Sequence, residues 1–109
     1  MIRARFYGSS RAWEGFAVEG HAGFEDSGRD VVCAAVSALA QAALSGILDV
    51  VDARADYQLC DGGALSIRLR DETDERKRED VHLLCEVLRQ SLEGIEHDFG
   101  QYLKVSTDK

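Results

Sequence analysis

GHAGFEDSGRDVVCAA, from Gly20 to Ala35, is where the chain changes character. Before it the residues alternate between apolar and polar. After it, Val31 to Val50 is alanine-rich, apolar around most of its circumference and twenty residues long. That run predicts a buried helix, whose small side chains let it lie close against a sheet or another helix. Its start has two readings. Ser27 and Asp30 have the spacing of a capping box, which starts the helix at Ser27; Asp30 is the competing N-cap. A loop from Ala22 to Gly28 joins the two regimes.

On the N-terminal side, Ile2, Ala4 and Phe6 alternate with Arg3, Arg5 and Tyr7, the pattern of a half-buried strand. Gly8-Ser9-Ser10 reads as a turn, and Trp13 to Glu19 as a second strand with Phe16 and Val18 on one face. This hairpin delivers His21 just past its end. On the C-terminal side, Asp56–Cys60 and Ala64–Arg70 alternate around Asp61-Gly62-Gly63. They predict a second hairpin with Tyr57, Leu59, Leu65, Ile67 and Leu69 pointing inward. Asp71 to Asp80 is densely charged and covers a loop and the first turns of a helix. Val81, Leu84, Cys85, Leu88, Leu92 and Ile95 then recur at three and four residues, an amphipathic helix. Gln101 to Val105 is a possible short closing strand. The order ββαββα predicts an α+β fold, an antiparallel β-sheet packed with two α-helices.

The 109 residues suffice for a single domain, 1–109, and are too few for two. Apolar residues at 45% and charged residues at 30% are the balance of a folded, soluble chain. No stretch is read as the roughly 20 apolar residues of a membrane span, and MIRARFYGSS lacks the apolar centre of a leader. Three widely spaced cysteines, an odd number, predict reduced thiols; with no leader, they point to the cytoplasm. The net charge of −7 disfavours direct nucleic-acid binding and favours a basic partner. Arg3, Arg5 and Arg11 cluster near the N-terminus, where a solvated strand face accounts for them as well as a basic patch does.

The chemistry centres on Cys33 and His21. With Asp30 as cap, Cys33 is the third helical residue, where the dipole and free N–H groups favour thiolate. With Ser27 as cap, that help fades. A cysteine and histidine within hydrogen-bond reach form a thiolate–imidazolium nucleophile, whereas a lone cysteine on an apolar helix is ordinarily a small hydrophobe. Cys85 falls on the apolar stripe and reads as core. Cys60 closes a strand and reads as structural, and His82 and His97 fall outside the stripe and read as solvated. A metal site drawn from His21, Glu25, Asp26 and Cys33 lacks zinc-like spacing, so no metal or cofactor is expected. Gly28-Arg29-Asp30 lacks the Lys of a phosphate loop.

The same stretch resembles a known signature. Gly20-His21-Ala22, a short loop, then Gly28-Arg29-Asp30-Val31-Val32-Cys33-Ala34-Ala35 and Ser37 is similar to the motif of the ribosomal-processing cysteine proteases. The twelve-residue spacing from His21 to Cys33 is intact. Length, element order, a glycine pair before a strand and the long C-terminal helix extend the resemblance along the chain. It implies a homodimeric α+β cysteine endopeptidase that removes the N-terminal extension of a large-subunit ribosomal protein, the twenty-seventh by the standard count. It further implies His21 as general base and Cys33 as nucleophile, with no membrane partner and a loop that orders around substrate. Asp30 is a candidate for orienting His21 or, equally, a cap. Ser37, one helical turn beyond Cys33, is a candidate support or a packing residue. Phe24 is a candidate for apolar substrate contact. The rival reading is a non-enzymatic ribosome-associated binding module on the same fold, with Cys33 structural.

Overall fold

The computed structural model describes residues 1–20, 27–60 and 63–108, with the side chains of its first helix described from Asp30 onward. Two strands open the chain, β1 (Ile2–Ser9) and β2 (Ala12–Glu19). Helix α1 (Ser27–Ser45) follows and runs on as a wider π-helical turn, Gly46–Val50. Then come β3 (Ala55–Leu59), β4 (Leu65–Leu69), α2 (Glu75–Phe99) and β5 (Leu103–Asp108). The alternation in β1 and β2 does what it predicts. Ile2, Ala4, Phe6, Phe16 and Val18 are all at most 1% exposed, and all face the helices.

The expected fold class, α+β with a sheet and two helices, is the one observed; the expectation of a purely antiparallel sheet is not. The five strands lie in the order β3-β4-β2-β1-β5, and the closing strand pairs with β1 in parallel, Ile2 beside Leu103 and Ala4 beside Val105. The cause is α2. Its 25 residues run most of the way along the molecule's 44 Å length, so the chain crosses over the sheet and re-enters it beside β1 in the same direction. The closing strand is also shifted from the expected Gln101–Val105.

Strand β2 sits in the middle of the sheet and is clamped to α2 by Trp13. Its backbone N–H donates to His82 Nδ1 at 2.9 Å, and its indole Nε1–H donates to Glu86 Oε1 at 2.8 Å. His82 is therefore half-buried and bonded, not solvated as its place off the apolar stripe suggests; His97 is exposed, as expected. Asp74 caps α2, its side chain accepting from the Lys77 N–H at 3.1 Å. Glu72, buried, accepts from the Arg54 and Asp74 N–H groups at 2.8 and 3.0 Å and so ties the approach to β3 to that cap. Those two bonds hold its carboxyl below the usual range.

Three expectations about burial need correction. Helix α1 is half-covered: Val32, Val36, Ala40, Ala43 and Leu44 enter the core, but Val31 is 67% exposed and Ala34, Ala35, Ala38, Leu39 and Ala42 are exposed too. Asp30–Val50 is also long and apolar enough to cross a membrane by length and composition, 21 residues with mean hydropathy 2.0, contrary to the sequence reading. Its buried face packs into a core shared with the sheet, the ordinary reason for such a run in a folded domain. Lastly, Tyr57 and Leu59 lie on the helix side of the sheet beside Ile67 and Leu65, yet remain exposed because the helices do not reach β3.

Glu86 also accepts from Arg89 at 2.6 Å and Gln90 at 2.7 Å, and these bonds lower its pKa to about 2 from 4.5. A depressed carboxylate stabilises the fold above its unfolded pKa and loses that contribution as pH falls towards the folded one. Replacing Glu86 by Gln should cost about 1–3 kcal/mol near neutrality, the range for a hydrogen bond to a charged group. Urea midpoints of the two proteins should converge as pH is lowered from about 4.5 to about 2.

Candidate active site

Central strand β2 ends at Glu19 and is followed by Gly20, the residue before His21. Gly20 has φ +95°, and a Cβ there would run into the Met1 carbonyl, so both backbone conformation and space demand glycine. The glycine of the Gly20-His21-Ala22 motif thus has a structural duty: it turns the chain off the sheet against the N-terminus. His21 itself lies outside the described residues, as do Ala22, Gly23, Phe24, Glu25 and Asp26 and the Asp61-Gly62 part of the second turn.

Helix α1 begins at Ser27, which decides between the two starts. Asp30 is not the N-cap; it is an exposed acidic residue in the first turn, favourable to the helix dipole. Cys33 is consequently the seventh helical residue, about 9 Å along the axis from Ser27. The direct help of the helix terminus to its thiolate fades over that distance. The first-turn N–H groups, which have no intrahelical acceptor, remain oriented beyond the N-terminal end. Cys33 is half-buried and packs against the hydrophobic core, and Ser37, one turn further on, is half-buried beside it along the helix.

Topology brings the two ends together. Val18 pairs with Leu65, and Leu65 with Leu59, so the end of β2, the start of β4 and the end of β3 share one end of the sheet. Seven residue steps separate Gly20 from Ser27, a reach of about 24 Å at full extension. Helix α1 runs on through Gly46–Val50 to within five residues of the start of β3, which lies at the opposite end of the sheet, so its N-terminal turns, with Cys33, lie towards the end where β2 gives way to Gly20. The other thiols are placed differently. Cys60 is exposed just past β3, and Cys85 is 0% exposed on α2, its thiol pushed by burial to about 12. Among the described residues no three metal-ligating side chains cluster, and three of the four residues weighed for a metal, His21, Glu25 and Asp26, lie outside them. Of the N-terminal arginines, Arg5 faces Glu19 at 3.7 Å and Asp108 at 3.8 Å on the open sheet face, a paired residue of a solvated strand.

The family model for cysteine protease Prp matches residues 1–104. The chain belongs to the Prp cysteine protease family. It is 32% identical over 94 residues, 85% of this chain and 84% of the relative, to the ribosomal processing cysteine protease Prp of Bacillus subtilis. A Streptococcus mutans crystal structure superposes with TM-score 0.82 at 28% identity, covering 98% of this chain and 93% of that one. The essential ribosomal processing protease Prp of S. aureus, solved with a substrate peptide, superposes with TM-score 0.83 at 23% identity over 99% of this chain and 100% of that one, a likeness of fold. In this chain Gly20, the residue before His21, follows the central strand of a mixed sheet, and Cys33 lies on the helix that comes next.

The three thiols should separate by accessibility. Iodoacetamide followed by peptide mapping should modify Cys60 and Cys33 in the folded protein and reach Cys85 only after unfolding. Labelling of Cys85 under native conditions would contradict the packing of α2.

Proposed function

We propose that this cysteine protease removes the N-terminal extension of a large-subunit ribosomal protein, the twenty-seventh by the standard count. Cys33 is the nucleophile and His21 the general base. The observation that carries the reading is the convergence of the Gly20 turn and the first turns of α1 at one end of the sheet. The match to the Prp family along the chain supports the substrate, as does the name of its B. subtilis relative.

The chemistry follows from the residue types. His21 takes the Cys33 thiol proton, and the thiolate attacks the scissile carbonyl carbon. The developing oxyanion accepts hydrogen bonds from main-chain N–H groups, for which the open first turn of α1 is the available source. Collapse of the tetrahedral adduct breaks the C–N bond, and the imidazolium gives its proton to the leaving amine. A water, deprotonated by His21, then hydrolyses the thioester and regenerates the thiol. Asp30, exposed one turn before Cys33, orients His21 or the loop; Ser37 supports the cysteine's turn. Neither metal nor cofactor is required by this sequence of steps.

The working form we propose is a homodimer in the cytoplasm, without a nucleic-acid or membrane partner. The net charge of −7 suits a basic protein substrate, and three free thiols suit a reducing compartment. The Val81–Ile95 stripe is consumed inside the chain, with Val81, Cys85, Leu88 and Leu92 buried. The solvent sides of the two helices supply an alternative seam: Val31 and Leu39 on α1, Leu83 and Val87 on α2, with small alanines that permit close helix approach.

Purified wild type should remove a defined N-terminal segment from the host's own ribosomal protein, read by mass spectrometry. Cys33→Ala and His21→Ala should lose the activity, by at least about a thousandfold for such a pair. Alkylation of Cys33 below pH 8 should slow in His21→Ala. Absence of cleavage together with an inert Cys33 would favour a binding module instead. Light scattering should give a dimer mass, and Leu39→Glu or Val87→Glu should shift it towards monomer.

A further inference from the structure

We propose that β3 is the docking edge for the substrate, which adds to the sheet as an extended strand beyond β3 with apolar side chains resting on Tyr57 and Leu59. The inference rests on the protease reading above and specifies how that site takes its peptide.

The first observation is the direction of the backbone. The Arg70 N–H donates to the Arg54 carbonyl at 3.0 Å, and the Cys60 N–H to the Ala64 carbonyl at 2.9 Å. In an antiparallel ladder hydrogen-bonded and non-bonded pairs alternate. Residues 54, 56, 58 and 60 therefore spend their N–H and C=O groups on β4, with Arg68 opposite Asp56 and Ser66 opposite Gln58. Ala55, Tyr57 and Leu59 turn theirs the other way, to the outside of the sheet. Among the described residues no strand lies there.

The second observation is the side chains of those same residues. Tyr57 and Leu59 are 52% and 59% exposed, while Ile67 and Leu65 opposite them are 1% and 3% exposed. The apolar row of the sheet thus continues past its helical cover. An exposed edge with apolar residues and no Lys, Pro or bulge invites another strand, and folded proteins ordinarily block it. This protein does block its other edge. At β5 the Val105 N–H donates to Glu96 Oε2 of α2 at 3.1 Å, so an outward group of that edge is spent inside the chain; the one charged side chain of β3, Asp56, lies on the opposite face from Tyr57 and Leu59 and is bonded to Arg70 at 2.9 Å.

The third observation is where β3 leads. Leu59 stands level with Leu65 and Val18, two residues before Gly20, at the end of the sheet where β2 gives way to Gly20. A peptide paired beyond β3 would run towards that end of the sheet, three strand spacings or about 14 Å to the side of β2. Five residues of strand engage a comparable length of peptide through main-chain bonds, which give affinity. The alternate side chains against Tyr57 and Leu59 give selection for apolar residues. An extended peptide is favoured over a second copy because the edge points at the reactive end, while the apolar sides of the helices offer the copy its own seam.

The probe is a synthetic peptide spanning the N-terminal segment of the host's twenty-seventh large-subunit ribosomal protein. Tyr57→Lys and Leu59→Lys should each raise KM about tenfold or more, the loss of one well-buried anchor, with kcat within about twofold. The iodoacetamide labelling rate of Cys33 should not move. Tyr57→Thr and Leu59→Thr, which keep strand propensity, guard against misfolding and should show the same split, with thermal melts near wild type. N-methylation of the peptide at alternate backbone positions should abolish binding to Cys33→Ala in one phase and spare it in the other. If all four variants and both methylation phases keep wild-type kcat/KM and affinity while wild type cleaves, the edge assignment is wrong and the protease reading stands. If the lysine variants dissociate a wild-type dimer in light scattering, a second copy covers β3 and the assignment is overturned. If wild type neither cleaves the peptide nor, as Cys33→Ala, binds it, the protease reading fails and this inference fails with it.

Discussion

Trp13 is the point on which the molecule turns. One residue ties the central strand to the long helix twice, through its own backbone N–H to His82 and through its indole to Glu86. Its ring also packs against Phe6, with centroids 5.8 Å apart. A sheet with helices on one side has only one apolar face to bury, so the angle at which α2 crosses decides what is covered and what is not. With α2 fixed over β2 and reaching β5, α1 is carried beside it, and β3 is left uncovered.

The charge cluster around Glu86 shows how a polar group is kept inside such a contact. Arg89 and Glu86 are each less than a quarter exposed, and Glu86 also serves Trp13 and Gln90. A carboxylate with several donors is cheaper to bury than a bare one, and removal of a single partner leaves the rest unsatisfied. The chain uses the same device at Glu72, which joins two segments through main-chain N–H groups. Both anchors lie away from the end of the sheet where β2 gives way to Gly20.

Much of this was legible in residue order. Alternation in Ile2–Tyr7 and the three-and-four spacing in Val81–Ile95 located strands and helix, because each pattern reflects one buried side of an element. The motif from Gly20 to Ser37 pointed to the family, and the structure supplies a reason for its first glycine, the contact with Met1. The errors of burial share one cause. Tyr57 and Leu59 obey the strand pattern but occupy an edge, Val31 and Leu39 are apolar but face solvent, and His82 lies off the stripe yet accepts from Trp13. In each case the local pattern says which side a residue is on, not what, if anything, lies against that side.

The sequence by itself determined the elements, their order, the single thiol placed near a helix start and the histidine released at a strand end. These are local or motif-borne properties, set by propensity, periodicity and spacing. Only the tertiary structure decided that β5 enters parallel to β1, that α1 begins at Ser27 rather than at an Asp30 cap, and that β3 stands open at the edge. Those outcomes depend on contacts between residues far apart in the chain, Trp13 with Glu86 and Met1 with Gly20 among them. The partners of such contacts lie many strand and helix repeats apart, so no local pattern reports them.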